Sequence, residues 1–268
     1  MPINIPTKEN DKLRQVVERI NQDAELHQFW RCANITAVDR LGLSDHGEVH
    51  VRIIANIALK LLRLLLEANI QPNVVHNYGL TNDDAEVIVV TASCLHDLGI
   101  SIHRDHHEGY SLWLAYPKLK ELYAEIYDVS TCTIMICETL HAIIAHSREE
   151  QCLTLEAGVV KVADALDMTK GRSRIPFEAG VVNIHSVSAA AIDHIELKKG
   201  ETRPIRIEVQ MNNSAGIFQL DELLKNKLER SSIAPYVEVV ARIEGEVEKH
   251  LIEVYSLGAG ANPTPPHS

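Results

Sequence analysis

The stretch that decides the fold is Val87-Ile-Val-Val-Thr-Ala-Ser-Cys-Leu-His-Asp-Leu-Gly-Ile100, in which an apolar helical run ends in a histidine and an aspartate. Adjacent side chains on a helix point about 100° apart, so His96 and Asp97 can share one metal ion only at the end of the helix. Imidazole suits Zn, Mn or Fe, and a carboxylate can bridge two ions. Together with the histidines and aspartates on either side, the pair predicts a metal site, and Gly99 is expected to break the helix.

Length and composition predict a globular cytoplasmic protein. Its 268 residues, 46% hydrophobic and 24% charged, are enough for one large core or two smaller ones. The 26 Lys and Arg against 37 Asp and Glu give a net charge of −11, which makes nucleic acid an unfavourable partner. Five cysteines without a CxxC pair predict reduced thiols. The lack of a signal sequence or a long apolar run predicts no contact with a membrane.

Apolar residues at spacings of three and four predict helices over the first two thirds of the chain. The helix that carries His96 has a capping sequence at Thr81, and another helix is expected to end before Pro117. The other expected helices cover 8–31, 48–68, 118–127, 131–146 and 155–169.

After Gly171 the pattern changes to short β-branched segments bounded by Gly, Pro or Asn, which predict strands. The expected strands are 181–187, 192–197, 205–211 and 236–243, with a helix over 220–230. The predicted fold class is therefore mainly α, a helical bundle followed by a small α+β unit. The expected domains are 1–175 and 176–256, with a disordered tail over 257–268. The second unit is expected to regulate or to form a homodimer rather than to catalyse.

Further candidates for the metal site each have a plain structural alternative. Taken alone, His50 is better explained as a partly buried core histidine near a helix start, and a favourable cation at a helix end is a sufficient explanation of His146. His107 lies in a polar stretch where solvated loop histidines are common. Asp164 interrupts an apolar helix face, where a carboxylate must be paired or metal-bound, and Lys161 is the alternative partner.

Taken in order, these motifs resemble the HD superfamily of metal-dependent phosphohydrolases over roughly residues 44–175. The matching stretches are His46-Gly-Glu-Val-His50, Cys94-Leu-His-Asp-Leu-Gly99, His107-Glu-Gly-Tyr-Ser111, Ala142-Ile-Ile-Ala-His146 and Val162-Ala-Asp-Ala-Leu-Asp167. The resemblance implies an HD-type helical core that binds one or two divalent ions (Fe, Mn, Zn, Co, Ni or Mg). It implies that Asp97 bridges two ions, and the full set of implied ligands is His50, His96, Asp97, His107, His146 and Asp164.

The resemblance also implies an activity, the hydrolysis of a nucleotide or another small phosphate ester by a metal-activated water. Asp97 is expected to take part as the bridging ligand. Asp167, on the same helix face as Asp164, is expected to orient a ligand or a water. Arg172 is expected to hold the phosphate through its two-pronged guanidinium, although a solvated helix end explains it equally well.

Some alternatives stay open at this level. His107 fits the family spacing better than His106, and His146 fits better than His141. The lysine that often follows the His-Asp-x-Gly turn is replaced by Ile100. A di-iron HD-type oxygenase would use the same ligands, and a regulator could bind metal without catalysis.

Overall fold

The first 165 residues fold almost entirely as helices. The computed structural model describes residues 2–7, 9–169, 188–243 and 254–257. Its N-terminal helices are α1 Asp11–Gln22, α2 Ala24–Asn34, α3 Glu48–Glu67, α4 Asn73–Tyr78, α5 Asn82–Leu95, α6 His107–Tyr123, α7 Val129–Ala145 and α8 Leu155–Ala165. A π-helical turn, Ile35–Arg40, continues α2, and a 3₁₀ turn, Leu98–Ser101, follows α5.

Helix α5 is the central helix of this bundle. All of its residues from Asp84 to Leu95 are buried, as expected for a helix that is apolar on every side. It packs against α1, α3, α7 and α8. The capping box predicted at Thr81 is confirmed, because the Thr81 and Asp84 side chains satisfy each other's backbone N–H groups.

One predicted helix, over 8–31, is wrong because the chain forms two helices there. Asp23 ends α1 and its carboxylate accepts the backbone N–H of Leu26, which starts α2. An aspartate with extended backbone is a strong helix start.

The predicted helix end at Pro117 is also wrong, because α6 continues through the proline to Tyr123. Pro117 lacks the N–H that would bond the carbonyl of Trp113. Both residues are exposed, Trp113 at 73%, so water can solvate this carbonyl. The missing hydrogen bond is therefore tolerated on this face.

A four-stranded sheet follows the helices, in the order β1-β2-β3-β4. The strands are β1 Ile192–Lys199, β2 Ile205–Met211, β3 Val237–Ile243 and β4 Val254–Leu257. β2 and β3 are parallel, and the outer pairs are antiparallel. The mainly α fold with a small α+β unit is thus confirmed. The predicted strand over 181–187 and the tail from residue 258 onward lie outside the described residues, and Leu257 belongs to β4.

The parallel pair needs a crossover, and a helical stretch supplies it. It consists of α9 Gly216–Gln219, a π-helical turn Leu220–Lys225 and α10 Asn226–Glu229. α10 packs against α8, while β1 and β2 contact α3. The crossover therefore lies beside the helix that carries Asp164.

The apolar side chains of the bundle and the sheet belong to one contiguous core cluster. The five cysteines form no disulfide. Within the described part of the chain, every helix is too short or too polar to cross a bilayer.

Candidate metal centre

Six of the predicted site residues meet at one end of the bundle. Each lies at or close to a helix end: the first turn of α3, the end of α5, the start of α6, the end of α7 and the last turn of α8. Five of them are buried and Asp164 is half-buried. The six residues are His50, His96, Asp97, His107, His146 and Asp164.

The turn after α5 is held against the start of α6 by Ser111. Its hydroxyl donates to the His96 carbonyl at 2.6 Å and accepts the Gly99 N–H at 2.8 Å. A side chain at Gly99 would meet the His107 carbonyl oxygen at 2.0 Å, so only glycine fits. This close approach brings Asp97 Oδ1 to 3.1 Å from His107 Nε2.

The first turn of α3 is set by Asp45. Its Oδ1 accepts the backbone N–H of Gly47 at 3.2 Å and that of His50 at 3.1 Å. These bonds satisfy N–H groups that a helix start leaves without an intrahelical partner. They fix the direction of the turn from which the His50 ring enters the bundle.

Four side chains bring a first group of candidate ligand atoms together. His50 Nε2 lies 3.4 Å from Asp97 Oδ2 and 3.5 Å from Asp164 Oδ1. His96 Nε2 lies 3.3 Å from Asp97 Oδ2 and 3.9 Å from Asp164 Oδ1. Ligand atoms about 2 Å from one ion stand roughly 3–3.5 Å from each other. The spacing therefore fits a single divalent cation after small adjustments.

A second group forms around the other oxygen of Asp97. Oδ1 lies 3.1 Å from His107 Nε2 and 3.6 Å from His146 Nε2. One carboxylate thus faces two groups of imidazole nitrogens, one with each oxygen.

Backbone carbonyls orient two of these histidines. His96 Nδ1 is 2.8 Å from the Ser93 carbonyl and His146 Nδ1 is 2.5 Å from the Ile143 carbonyl. A carbonyl only accepts, so Nδ1 carries the proton and the Nε2 lone pair faces the cluster. His96 Nε2 is buried and has no hydrogen-bond partner among the described residues. This donor set suits a divalent metal ion.

Asp167 lies immediately behind this cluster. Its Oδ2 is 2.5 Å from His50 Nδ1, so the carboxylate accepts the Nδ1–H and leaves Nε2 directed at the first group. Carboxylates commonly hold metal-binding histidines in this way.

The electrostatics favour ionised carboxylates in the cluster. Burial alone would raise the pKa of Asp97, but electrostatic attraction to the adjacent His96 ring and hydrogen-bonding contacts with neighbouring histidines hold it well below its usual value. Burial also opposes ionisation of Asp164, and the Lys227 ammonium is the main group that keeps its pKa low. Burial lowers the pKa of His146. In these charge states the cluster attracts a cation.

The other candidate histidines lie outside the two groups. His106 is exposed, has φ 60° and lines the cavity above the cluster. His141 Nε2 accepts the backbone N–H of Leu153. The structure thus brings His107 and His146, which sequence spacing favoured, into the cluster.

A cavity of about 840 Å³ opens above the cluster. Three cations that sequence reasoning did not select line it: Arg104, Arg148 and Lys227. Arg104 precedes His107 by three residues, so its place in the histidine-rich stretch was a usable signal. No sequence pattern pointed to Lys227, because it comes from α10 in the C-terminal unit and not from any of the metal-binding motifs. Arg172 lies outside the described residues, as do Lys170 and Arg174, the two weaker candidates for phosphate contact in the same stretch of sequence.

Comparison with known proteins agrees with this geometry. A family model described as HD domain matches residues 47–169, a range that contains all six clustered side chains and Asp167. An uncharacterised protein of Methanocaldococcus jannaschii is 42% identical over 233 residues, which are 87% of this chain and 90% of that protein. No solved structure matches the chain significantly. The chain therefore belongs to the HD superfamily of metal-dependent phosphohydrolases.

Proposed function

We propose that this protein hydrolyses a nucleotide or another small phosphate ester with the help of two divalent ions. The observation that carries the proposal is Asp97, whose two oxygens face two separate groups of buried imidazole nitrogens. A carboxylate in this position suits a two-metal site, where the ions stand about 3.5–4 Å apart. The cavity of about 840 Å³ is within the usual range of small-molecule sites, roughly 300–1,000 Å³.

Each residue of the cluster has a separate role in this proposal. Divalent ions, when bound, lower the pKa of a water and neutralise phosphoryl oxygens. Asp97 would hold both ions, one with each oxygen, and Asp167 keeps the His50 ring turned toward the site by accepting its Nδ1–H. The proposed ligands of the first ion are His50, His96, Asp97 and Asp164, and those of the second are Asp97, His107 and His146.

The charge around the cavity supports a phosphate substrate over the alternatives. Arg104, Arg148 and Lys227 line a cavity whose floor carries the clustered carboxylates. Cations in such a place favour an anionic substrate. A di-iron oxygenase and a metal-binding regulator without catalysis are therefore the less favoured functions.

The test is metal analysis of protein purified without chelator, followed by a screen of phosphate esters. Asp97→Asn keeps the side-chain shape but replaces one oxygen by an amide nitrogen, which does not ligate metal. We expect the variant to lose at least one ion per chain and to turn over esters at least about 1,000-fold more slowly, or about 4 kcal/mol. His103→Asn, in the same histidine-rich region but exposed and away from the two groups, is the matched control and should behave as wild type.

Several results would contradict the proposal. Unchanged metal content in Asp97→Asn would remove the bridging role. Oxygen consumption with visible absorption from a mixed-valent iron pair would identify the oxygenase. Bound metal without any turnover would favour the regulator. His107→Ala and His146→Ala should each lower the metal count from two toward one, and unchanged counts would argue for a single ion.

The wider organisation belongs to the same proposal. Residues 1–175 would form the catalytic unit and 176–256 a smaller α+β unit. A homodimer and a cytoplasmic location stay predictions from the sequence. Size-exclusion chromatography with light scattering tests the homodimer.

A further inference from the structure

One wall of the cavity is contributed by the crossover helix of the C-terminal unit. Gln219, Leu223 and Lys227 line the cavity and follow each other at a spacing of four. The π-helical turn Leu220–Lys225 lies between the first and the last of them. Four residues make slightly more than one full turn in an α-helix but slightly less than one full turn in the wider π-helix. The mixed helix therefore keeps all three side chains on the face turned to the cavity.

Lys227 reaches from this helix to a proposed metal ligand. Its Nζ donates a short hydrogen bond to Asp164 Oδ2, and its side chain is only 12% exposed. The other oxygen of Asp164, Oδ1, faces His50 at 3.5 Å and His96 at 3.9 Å. Lys227 and the first group thus occupy different oxygens of the same carboxylate, so the lysine does not compete for the ligating atom.

The ammonium of Lys227 has further N–H donors available after this bond. Lysine carries three N–H donors and no acceptor. Asp164 is its only hydrogen-bond or ion-pair partner among the residues that the structure describes. Because Lys227 lines the cavity, its remaining N–H donors are available to a ligand there.

The other two cations of the cavity are placed differently. Arg104 Nη1 lies 2.8 Å from His107 Nδ1, and Arg148 Nη2 donates to the Glu222 carbonyl at 3.0 Å. Arg148 is exposed, at the rim. Of the three cations described at the cavity, Lys227 is therefore the one that touches a carboxylate of the cluster and faces the cavity at the same time.

We propose that Lys227 is an active-site residue supplied by the C-terminal unit: one N–H holds Asp164, and the others contact a phosphoryl oxygen of the substrate. This inference rests on the proposed phosphate-ester function. It gives the α+β unit a direct part in substrate binding, beyond the regulation or dimerisation expected from the sequence. A compact ammonium acts as a point charge, which suits one oxygen of a tetrahedral phosphate next to the metal ions.

The experiment measures orthophosphate binding to full-length protein reconstituted with Mn²⁺, at saturating metal and with the metal count verified. Lys227→Met removes the charge and keeps much of the stem. We expect its dissociation constant for orthophosphate to rise about 10–100-fold, the size of a charge-assisted hydrogen bond. Lys225→Met is the matched control, because Lys225 lies on the same stretch, has a side chain that is 41% exposed and pairs with Asp221. The control should stay within about twofold of wild type.

Lys227→Arg serves as the second variant, because it keeps the charge at Asp164 if the methionine variant does not fold. The arginine variant should retain the metal and bind orthophosphate better than Lys227→Met. If Lys227→Met does not fold, the dissociation constant of the arginine variant should lie within about tenfold of wild type. Steady-state kinetics on any accepted ester should show a raised Michaelis constant for Lys227→Met at full metal occupancy. The same loss for Lys225→Met would assign the effect to general charge and overturn the contact.

Orthophosphate affinity equal to wild type in metal-loaded Lys227→Met would overturn the inference. So would an arginine variant that keeps its metal and loses phosphate binding altogether. If wild-type protein turns over no phosphate ester but binds orthophosphate through Lys227, the proposed function fails while the anion contact stands. If esters are hydrolysed with no dependence on Lys227, the function stands and the inference fails.

Discussion

Gly99→Ala is the sharpest test of how the metal centre is built, because it adds one methyl group at the closest backbone approach in the site. An added Cβ would lie 2.0 Å from the His107 carbonyl oxygen and 2.6 Å from the Ser111 backbone nitrogen. The first distance is about 1.5 Å short of ordinary contact. Both obstacles are backbone atoms, so no side chain can rotate away.

The magnitude follows from this geometry. Overpacking in a core costs about 1–3 kcal/mol, and more when backbone must move. The shift also strains the two Ser111 hydrogen bonds that hold the turn, so we expect the free energy of unfolding to fall by about 3 kcal/mol or more. A displacement near 1.5 Å far exceeds the roughly 0.2 Å tolerance of metal–ligand distances. His107 should therefore lose its register with Asp97, and the second ion should be lost.

Gly109→Ala, in α6 between His107 and Ser111, is the matched control. A Cβ there meets nothing within 4 Å. Alanine favours the helical conformation over glycine, so this variant should gain up to about 1 kcal/mol. Urea unfolding and metal analysis of both variants make the comparison. A Gly99→Ala protein within about 0.5 kcal/mol of wild type and with an unchanged metal count would refute the close approach.

Three further predictions concern single hydrogen-bonding groups. Asp167→Asn should weaken metal binding about 10–100-fold in a chelator competition, because His50 loses its anionic partner; unchanged affinity contradicts that role. Asp84→Asn should destabilise by about 1–2 kcal/mol at pH 7, because it removes the charge of a buried carboxylate that pairs with Lys12, whose own side chain is 37% exposed. Burial opposes ionisation of Asp84, but hydrogen bonds such as that from Lys12 lower its pKa below the usual 3.8. The difference in unfolding free energy between wild type and Asp84→Asn should therefore shrink only below about that pH. A difference that stays constant down to about pH 3 in urea unfolding would contradict this assignment. Ser111→Ala removes two buried backbone bonds and should cost about 2 kcal/mol in the same assay, and a loss under about 0.5 kcal/mol argues against them.

Interactions between residues close in sequence determined many features of the helical bundle. The cap at Thr81 and Asp84 depends on residues three apart, so it could be predicted without tertiary contacts. Gly99 was also selected from the sequence, but as a helix breaker, whereas α5 already ends at Leu95 and Gly99 lies in the 3₁₀ turn that follows. The β-branched segment that became β2, Ile205–Met211, was predicted with the same limits. Residue types in order along the chain were also enough to select the six side chains that the structure gathers at one end of the bundle.

Tertiary packing alone decided how these residues face each other. Asp97 turns one oxygen to each group because two helix ends, from α6 and α7, flank the turn after α5. Asp167 reaches His50 across 117 positions of sequence, and Lys227 reaches Asp164 across 63. Such distant contacts depend on how helices and sheet share one core, and local propensity carries no record of that. For the same reason the sequence identified the metal-binding candidates but could not show that a lysine of the C-terminal unit stands beside them.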